Sequence, residues 1–191
     1  MAETTLHIRN MVCPRCIKVV TDELTNLGLP VVEVKLGEAK LSAVPAPDAL
    51  NKVRVVLLEN GFELLEDKKS EVVEQIKVAI IQLVQSGRIE DLTTNISTYL
   101  ESELGHDYNY LSSLFSAEEN LTIARYVVLQ KVERAKELLT YNELSLSQIS
   151  FQLGYSSVAH LSNQFKQITG ITPSDFKKSN ASSRKPLDQV T

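Results

Sequence analysis

The hydrophobic period of this chain changes once, near residue 70, and that change limits the folds open to it. Before it, short apolar runs of strand type flank two stretches with helical spacing; after it, every apolar pattern is helical. "TLHIRN" alternates like a strand. "CIKVVTDELTNLG" places Ile17, Val20, Leu24 and Leu27 on one helical face and ends on Gly28, a residue suited to a helix C-terminus. "VVEVKL" and "AKLSAV" read as a hairpin around the turn "GE". "PDALNKVRVVLLENG" opens on Pro and closes on Asn-Gly, with Leu50, Val53, Leu57 and Leu58 expected to face inward, and "FELLE" is a last strand.

The expected order is βαββαβ, the split-βαβ or ferredoxin-like pattern, over residues 1–67. From Ser70 the chain reads as helices. "SEVVEQIKVAIIQLVQSG" carries a Ser cap and an acidic first turn, and its apolar face, Val73, Ile76, Ile80 and Leu83, is assigned to the core of the helical half. "NISTYLESELGHDYNYLSSLFSAEE" and "LSLSQISFQLGYSSVAHLSNQFKQITG" then repeat one plan on either side of the long helix "LTIARYVVLQKVERAKELL". In each, a helix ends in Leu-Gly, a short turn follows, and a second helix carries a Leu four residues before a Phe: Leu111 with Phe115, and Leu161 with Phe165. These are expected to be two helix-turn-helix units. The fold class is therefore α+β, with an all-α half over residues 70–178. The polar tail 179–191 is expected to be disordered.

With 191 residues, 43% apolar and 23% charged, the chain can bury an ordinary globular core. The start "MAETTLHIRN" lacks a basic and then apolar leader, and runs such as "VAII" are far too short for a bilayer, so a cytoplasmic protein without membrane partners is expected. Nothing in the sequence has the pattern of a catalytic triad or a phosphate loop, and no enzymatic activity is expected.

The segment "ISFQLGYSSVAHLSNQFKQITGITPSDFKKS" resembles the C-terminal signature of the AraC/XylS transcription regulators, and the resemblance extends over about Val72 to Lys178. It implies double-stranded promoter or operator DNA as partner, with a recognition helix from each unit in adjacent major-groove segments. In the second unit Leu161, Phe165 and Ile168 share the inward face. Ala159, Asn163 and Lys166 lie opposite, flanked by His160 and Ser162. Asn can pair with adenine through two hydrogen bonds, and Lys can neutralise a phosphate. Ser156 and Ser157 fall where a helix cap and a backbone phosphate contact belong. In the first unit the outward positions are Asn109, Ser112, Ser113 and Ser116. No Arg or Lys stands among them, and Asp107, Glu118 and Glu119 lie close by. The formal charge of the whole chain is −4, while residues 120–178 hold seven Lys/Arg against four acids. Weak, salt-sensitive non-specific binding follows.

Both cysteines of the chain sit in "NMVCPRC", at the first strand–helix junction. In a reducing compartment a close pair is more often a metal or redox site than a staple. Met11, Cys13 and Cys16 resemble the Met-x-Cys-x-x-Cys of the heavy-metal-associated domain found in copper chaperones and P-type metal pumps. That resemblance implies Met11 in the core, Cys13 in the loop, Cys16 in the first helical turn, and Phe62 near the metal; Asn10 stands where that family usually has Gly. A helix N-terminus lowers thiol pKa, so both thiolates are expected at neutral pH. Two soft thiolates suit Cu(I); Zn²⁺ wants four ligands and fits less well. His7 is read as a strand residue without a ligand role, and His106 and His160 belong to the helical half. Cys-Pro-Arg-Cys also resembles the Cys-Pro-x-Cys of glutaredoxins. Three uses of the pair stay open: metal binding, thiol redox sensing, and a domain used for dimerisation or another ligand. The leading expectation is a regulator that senses a soft metal, as a monomer or as a homodimer bridged by metal; a metal carrier with a helical dock is the competing class. The short connector Glu66–Ser70 leads us to expect coupling between the halves.

Overall fold

The protein, a computed structural model, is described over residues 3–87, 89, 95–178 and 187–190. It is mostly helical with one small antiparallel sheet, and it divides into two compact units, Met1–Val78 and Ala79–Thr191.

The first unit runs β1 (Thr4–Arg9), α1 (Pro14–Asn26), β2 (Val31–Lys35), β3 (Glu38–Leu41), α2 (Pro47–Glu59) and β4 (Glu63–Leu65). The sheet order is β2-β3-β1-β4, with β1 antiparallel to both β3 and β4. Alternation along β1 sends Leu6 and Ile8 inward, where Ala39 and Leu41 of β3 join them. Helices α1 and α2 cover that core with Val20, Leu24, Val53 and Leu57, and Met11 and Phe62 complete it. Phe62, expected beside a metal, is thus a core side chain. Leu58, expected to face inward, is 71% exposed. It follows Leu57 by one residue, about 100° around a 3.6-residue turn, and so leaves the buried stripe.

Helix α3 (Lys68–Ser86) begins two residues before the expected Ser70 cap. Asp67 caps it instead, its Oδ1 accepting from the N–H groups of Lys69 and Ser70 at 3.0 Å each. A hydrogen bond with the Ser70 side chain, together with those N–H bonds, holds the Asp67 carboxyl below its ordinary pKa. The division between the units falls inside α3, later in the chain than the expected connector. The reason is local. Glu71 lies 3.7 Å from His7, Glu74 accepts a hydrogen bond from Asn10, and Val78 meets Gly37, so the first half of α3 packs on β1 and the β2–β3 turn. Of the apolar face assigned to the helical half, Val73 and Ile76 therefore belong to the first unit, and Ile80 and Leu83 to the second.

The second unit continues with α4 (Ile96–Leu104), α5 (Tyr108–Glu119), α6 (Ile123–Tyr141), α7 (Leu146–Gln152), α8 (Val158–Thr169) and α9 (Pro173–Lys178). The pairs α4–α5 and α7–α8 are the two helix-turn-helix units. Leu111, Phe115, Leu161 and Phe165 are all fully buried. Phe115 packs on Tyr126 of α6 at 5.4 Å, and Phe165 packs edge-on against Phe176 of α9 at 5.5 Å. Side chains of Asn95, Asp107, Thr122, Ser145 and Ser157 cap successive helices, and Ser145 with Gln148 forms a reciprocal capping box. Gly154, in the turn after α7, has φ +63, and a Cβ there would lie 2.6 Å from Ile89 Cγ2, so the turn of "LGYSS" requires glycine twice over. Most of the tail expected to be disordered lies outside the described residues; at its end, Leu187–Gln189 form one 3-10 turn and Val190 is buried, not the disorder expected there.

Candidate functional site

Helix α8 starts at a serine cap. Ser157 Oγ accepts from the His160 N–H at 3.1 Å, and Ser156 Oγ lies 3.1 Å from His160 Nδ1. The imidazole also stands edge-on to Tyr155 at 5.2 Å, so two contacts hold the ring at the head of the helix. Past the cap, Leu161 and Phe165 turn inward, which leaves Ala159, His160, Asn163, Lys166 and Gln167 exposed as one stripe. Ser162 is half-buried beside that stripe, Ile168 is half-buried on the inner side, and Ser156 and Ser157 are exposed. Gln167 was missed from the sequence, although its i+4 spacing from Asn163 signals the same face.

Helix α5 has the same frame and a different outer face. Asn109 and Ser113 are exposed, whereas Ser112 and Ser116 are half-buried. Tyr110 is 47% exposed, with its ring 5.3 Å from that of His106; its position beside Asn109 was the signal for it. The helix N-terminus is occupied by two carboxylates. Asp107 Oδ1 accepts from the N–H groups of Asn109 (2.9 Å) and Tyr110 (3.4 Å), and Glu101 Oε1 accepts from the Tyr108 N–H at 2.9 Å.

Three cations counted toward the basic half are not on its outer face. Lys136 is buried with Glu133 at 2.8 Å, Arg134 pairs with Glu137 at 2.6 Å, and Lys131 lies 5.1 Å above the Tyr155 ring. Burial holds the Lys131 ammonium below its ordinary pKa. Tyr155 is buried, its hydroxyl has no hydrogen-bond partner among the described residues, and burial pushes its phenol well above the ordinary range. The exposed cations of residues 120–178 are Arg125, Lys166, Lys177 and Lys178.

In the first unit, Cys13 is the N-cap of α1 and Pro14 its first helical residue. Cys16 sits in the first turn, its N–H donating to the Cys13 carbonyl at 2.9 Å, and the two free sulfurs lie 3.4 Å apart. The two thiols shift in opposite directions, where the helix N-terminus was expected to lower both. Burial raises Cys13, but it is outweighed by N–H and thiol bonds from Cys16, by the Arg15 N–H and by the Arg15 charge, which together lower its pKa. Burial dominates at Cys16 and, with the neighbouring Cys13 sulfur, holds its thiol above the ordinary pKa. Met11 is fully buried and Cys16 packs on the same core. Among the described residues no three His, Cys, Asp or Glu side chains gather in a way that could hold a metal ion, so the donor set here is two sulfurs.

Asn10, just before this loop, has φ +73. The left-handed conformation accounts for an Asn here, the residue after Gly that best tolerates it. Its N–H donates to Glu74 Oε1 at 3.0 Å and its Nδ2 to the Gly61 carbonyl at 3.2 Å. Glu74 was also missed from the sequence; an acid within the apolar run "VVEQI" was the signal.

Comparison with known proteins agrees with this geometry in the second unit. Residues 100–179 match the family model described as a helix-turn-helix domain. The Msm operon regulatory protein of Streptococcus mutans is 31% identical over 135 residues, covering 68% of this chain and 45% of that one. An uncharacterised HTH-type transcriptional regulator of Escherichia coli, YdiP, is 33% identical over 70 residues, 37% of this chain and 23% of its own. This chain spans less than half the length of these curated relatives. Among solved structures, the C-terminal domain of AraT, a response regulator from Geobacillus stearothermophilus, superposes with a TM-score of 0.50 at 21% identity, over 62% of this chain and 95% of that one. An AraC-type regulator from Chromobacterium violaceum gives a TM-score of 0.48 at 22% identity, over 57% and 95%. The second unit carries a helix-turn-helix domain. Among the described residues no helix is long and apolar enough to cross a membrane.

Proposed function

We propose that this chain is a sequence-specific, DNA-binding transcription regulator of the AraC type, cytoplasmic, with base reading concentrated in α8. The observation that carries the reading is the exposed stripe of His160, Asn163, Lys166 and Gln167 behind a neutral serine cap. It offers an amide, a fixed imidazole and a cation at the spacing of one helical face, the set that reads base edges and neutralises phosphate. The relatives are named as transcription regulators, which supports the same class.

For the first unit we propose the ferredoxin-like, heavy-metal-associated arrangement, with Cys13 and Cys16 as a two-sulfur site for a soft ion such as Cu(I) and residues 1–67 as its body. The element order, the antiparallel sheet order and the buried Met11 support that reading. Two sulfurs are too few for tetrahedral zinc, and few, soft donors suit Cu(I). Bound there, the ion would supply occupancy as a signal; the chain's own residues hold the sulfurs and read the DNA. The unequal thiols favour a second reading, a thiol redox switch in which the Cys13 thiolate attacks an oxidised partner and Cys16 resolves it to a disulfide.

Selection of bound sites from random duplex DNA, with reduced protein, with Cu(I) and after mild oxidation, tests all three statements. A defined motif is expected, with affinity that changes on loading by about 5–150-fold if the sites are coupled. No enriched motif in any state overturns the DNA assignment; a change on oxidation and none with Cu(I) selects the redox switch. The mass of the loaded protein separates one ion per chain from one ion bridging a homodimer.

A further inference from the structure

We propose that Glu74 is a positioning residue for the thiol loop: through the backbone of Asn10 it holds Cys13 and Cys16 in their working arrangement. The proposal rests on the thiol pair as the functional site of the first unit.

Glu74 is 4% exposed and lies between Val73 and Ile76 on α3. A carboxylate in such surroundings is costly unless it is hydrogen-bonded. Its Oε1 takes the Asn10 N–H at 3.0 Å. Asn10 is the first residue after β1, and with φ +73 it turns the chain out of the sheet. Its Nδ2 ties the same corner to Gly61. The next residue, Met11, is fully buried, and only Val12 then separates this clamp from Cys13, the N-cap of α1. The position and tilt of Asn10 therefore set where Cys13 enters the helix, and with it the 3.4 Å approach of the sulfurs. Partners that hold ligand-bearing segments in this way tune a site although they never touch the ligand. Glu74 also gives the loop a direct grip on α3, so that closure of the sulfurs acts on that helix in mid-course and not through the connector at its start.

The test uses the full, reduced chain. Iodoacetamide alkylation of Cys13 relative to Cys16, read by peptide mass spectrometry, is compared in wild type, Glu74→Ala, Glu74→Gln and Asn10→Gly. Glu74→Ala is expected to shift the ratio by about three- to tenfold, the scale of one lost hydrogen bond. Glu74→Gln keeps an acceptor oxygen and should recover most of the wild-type ratio; Asn10→Gly keeps the N–H bond to Glu74 and tolerates the φ but loses the tie to Gly61, and should shift the ratio less than Glu74→Ala does. An unchanged ratio in a folded Glu74→Ala, or a Gln variant as altered as the Ala variant, overturns the proposal. If the Ala variant does not fold, amide hydrogen exchange decides: the Asn10 N–H must be protected in wild type and lose that protection in no other folded variant, and an unprotected amide overturns the assignment. Cu(I) affinity against a chelator should fall roughly tenfold in Glu74→Ala. A wild type that binds no Cu(I) would overturn the metal reading of the site while the alkylation ratio still decides the role of Glu74.

Discussion

The two helix-turn-helix units share a frame and differ in what they present. In each, a Leu and a Phe four residues apart are fully buried, the recognition helix begins at a side-chain cap, and the Phe packs on another ring. Outside the frame they diverge. The head of α5 is filled by the carboxylates of Asp107 and Glu101, that of α8 by the hydroxyl of Ser157. Between Arg88 and Arg125 there is no Lys or Arg, and there are seven acids; α8 carries Lys166, and Lys177 and Lys178 follow at the end of α9. On the proposed reading, DNA phosphates near the amide end of such a helix would meet like charge at the first unit and not at the second. The lesson is that the fold of a helix-turn-helix unit and its capacity to read DNA are set by different residues and can be altered separately.

The largest expected effect lies in the frame. Phe115→Ala and Phe165→Ala should each cost about 3–5 kcal/mol of stability in denaturant titrations. Losses of the same size would establish the shared frame; a Phe115 variant as stable as wild type would break it. A smaller effect separates the faces. Asn163→Ala should lose about 1–3 kcal/mol at the selected site and much less on random DNA, whereas Asn109→Ala should stay within about 0.5 kcal/mol on both. Equal losses at the two positions, measured by fluorescence anisotropy at fixed salt, would mean that both helices read bases. The smallest effect concerns the caps. Asp107→Ser retains a good cap and removes a charge, so DNA affinity at low salt should rise about two- to fivefold, and Ser157→Asp should lower it by a similar factor. An indifferent Asp107→Ser would place the head of α5 away from phosphate altogether.

Much of this was legible in the sequence because it is local. Period, caps and Gly or Pro punctuation marked the elements, and the i, i+4 pairs Leu111–Phe115 and Leu161–Phe165 marked the inward faces. What stayed hidden depends on burial and azimuth, or on residues far apart in the chain. Leu58 looked buried because it adjoins Leu57, and only the helix azimuth excludes it. Lys131, Arg134 and Lys136 count as positive charge in a composition, yet their surroundings on α6 and at Tyr155 take them off the surface. The Asn10–Glu74 bond joins residues 64 apart. It is this bond, with the His7 and Gly37 contacts, that draws the start of α3 into the first unit and moves the division past the expected connector. The helix start leads one to expect both thiols lowered; burial wins at Cys16 and raises it, while at Cys13 burial is outweighed by hydrogen bonds and the Arg15 charge.

Tyr155 has an optical consequence. The chain has six tyrosines and no tryptophan, so its near-ultraviolet absorption is dominated by phenol. Burial holds Tyr155 among them neutral beyond the ordinary phenol value of 10.0. A group whose folded pKa is raised in this way contributes stability that is intact below that ordinary value and drains away as pH climbs toward the folded one. The turn between α7 and α8 therefore carries its own alkaline marker: ionisation of the Tyr155 phenol, late in a pH titration, should accompany loss of the packing around it, with no label attached.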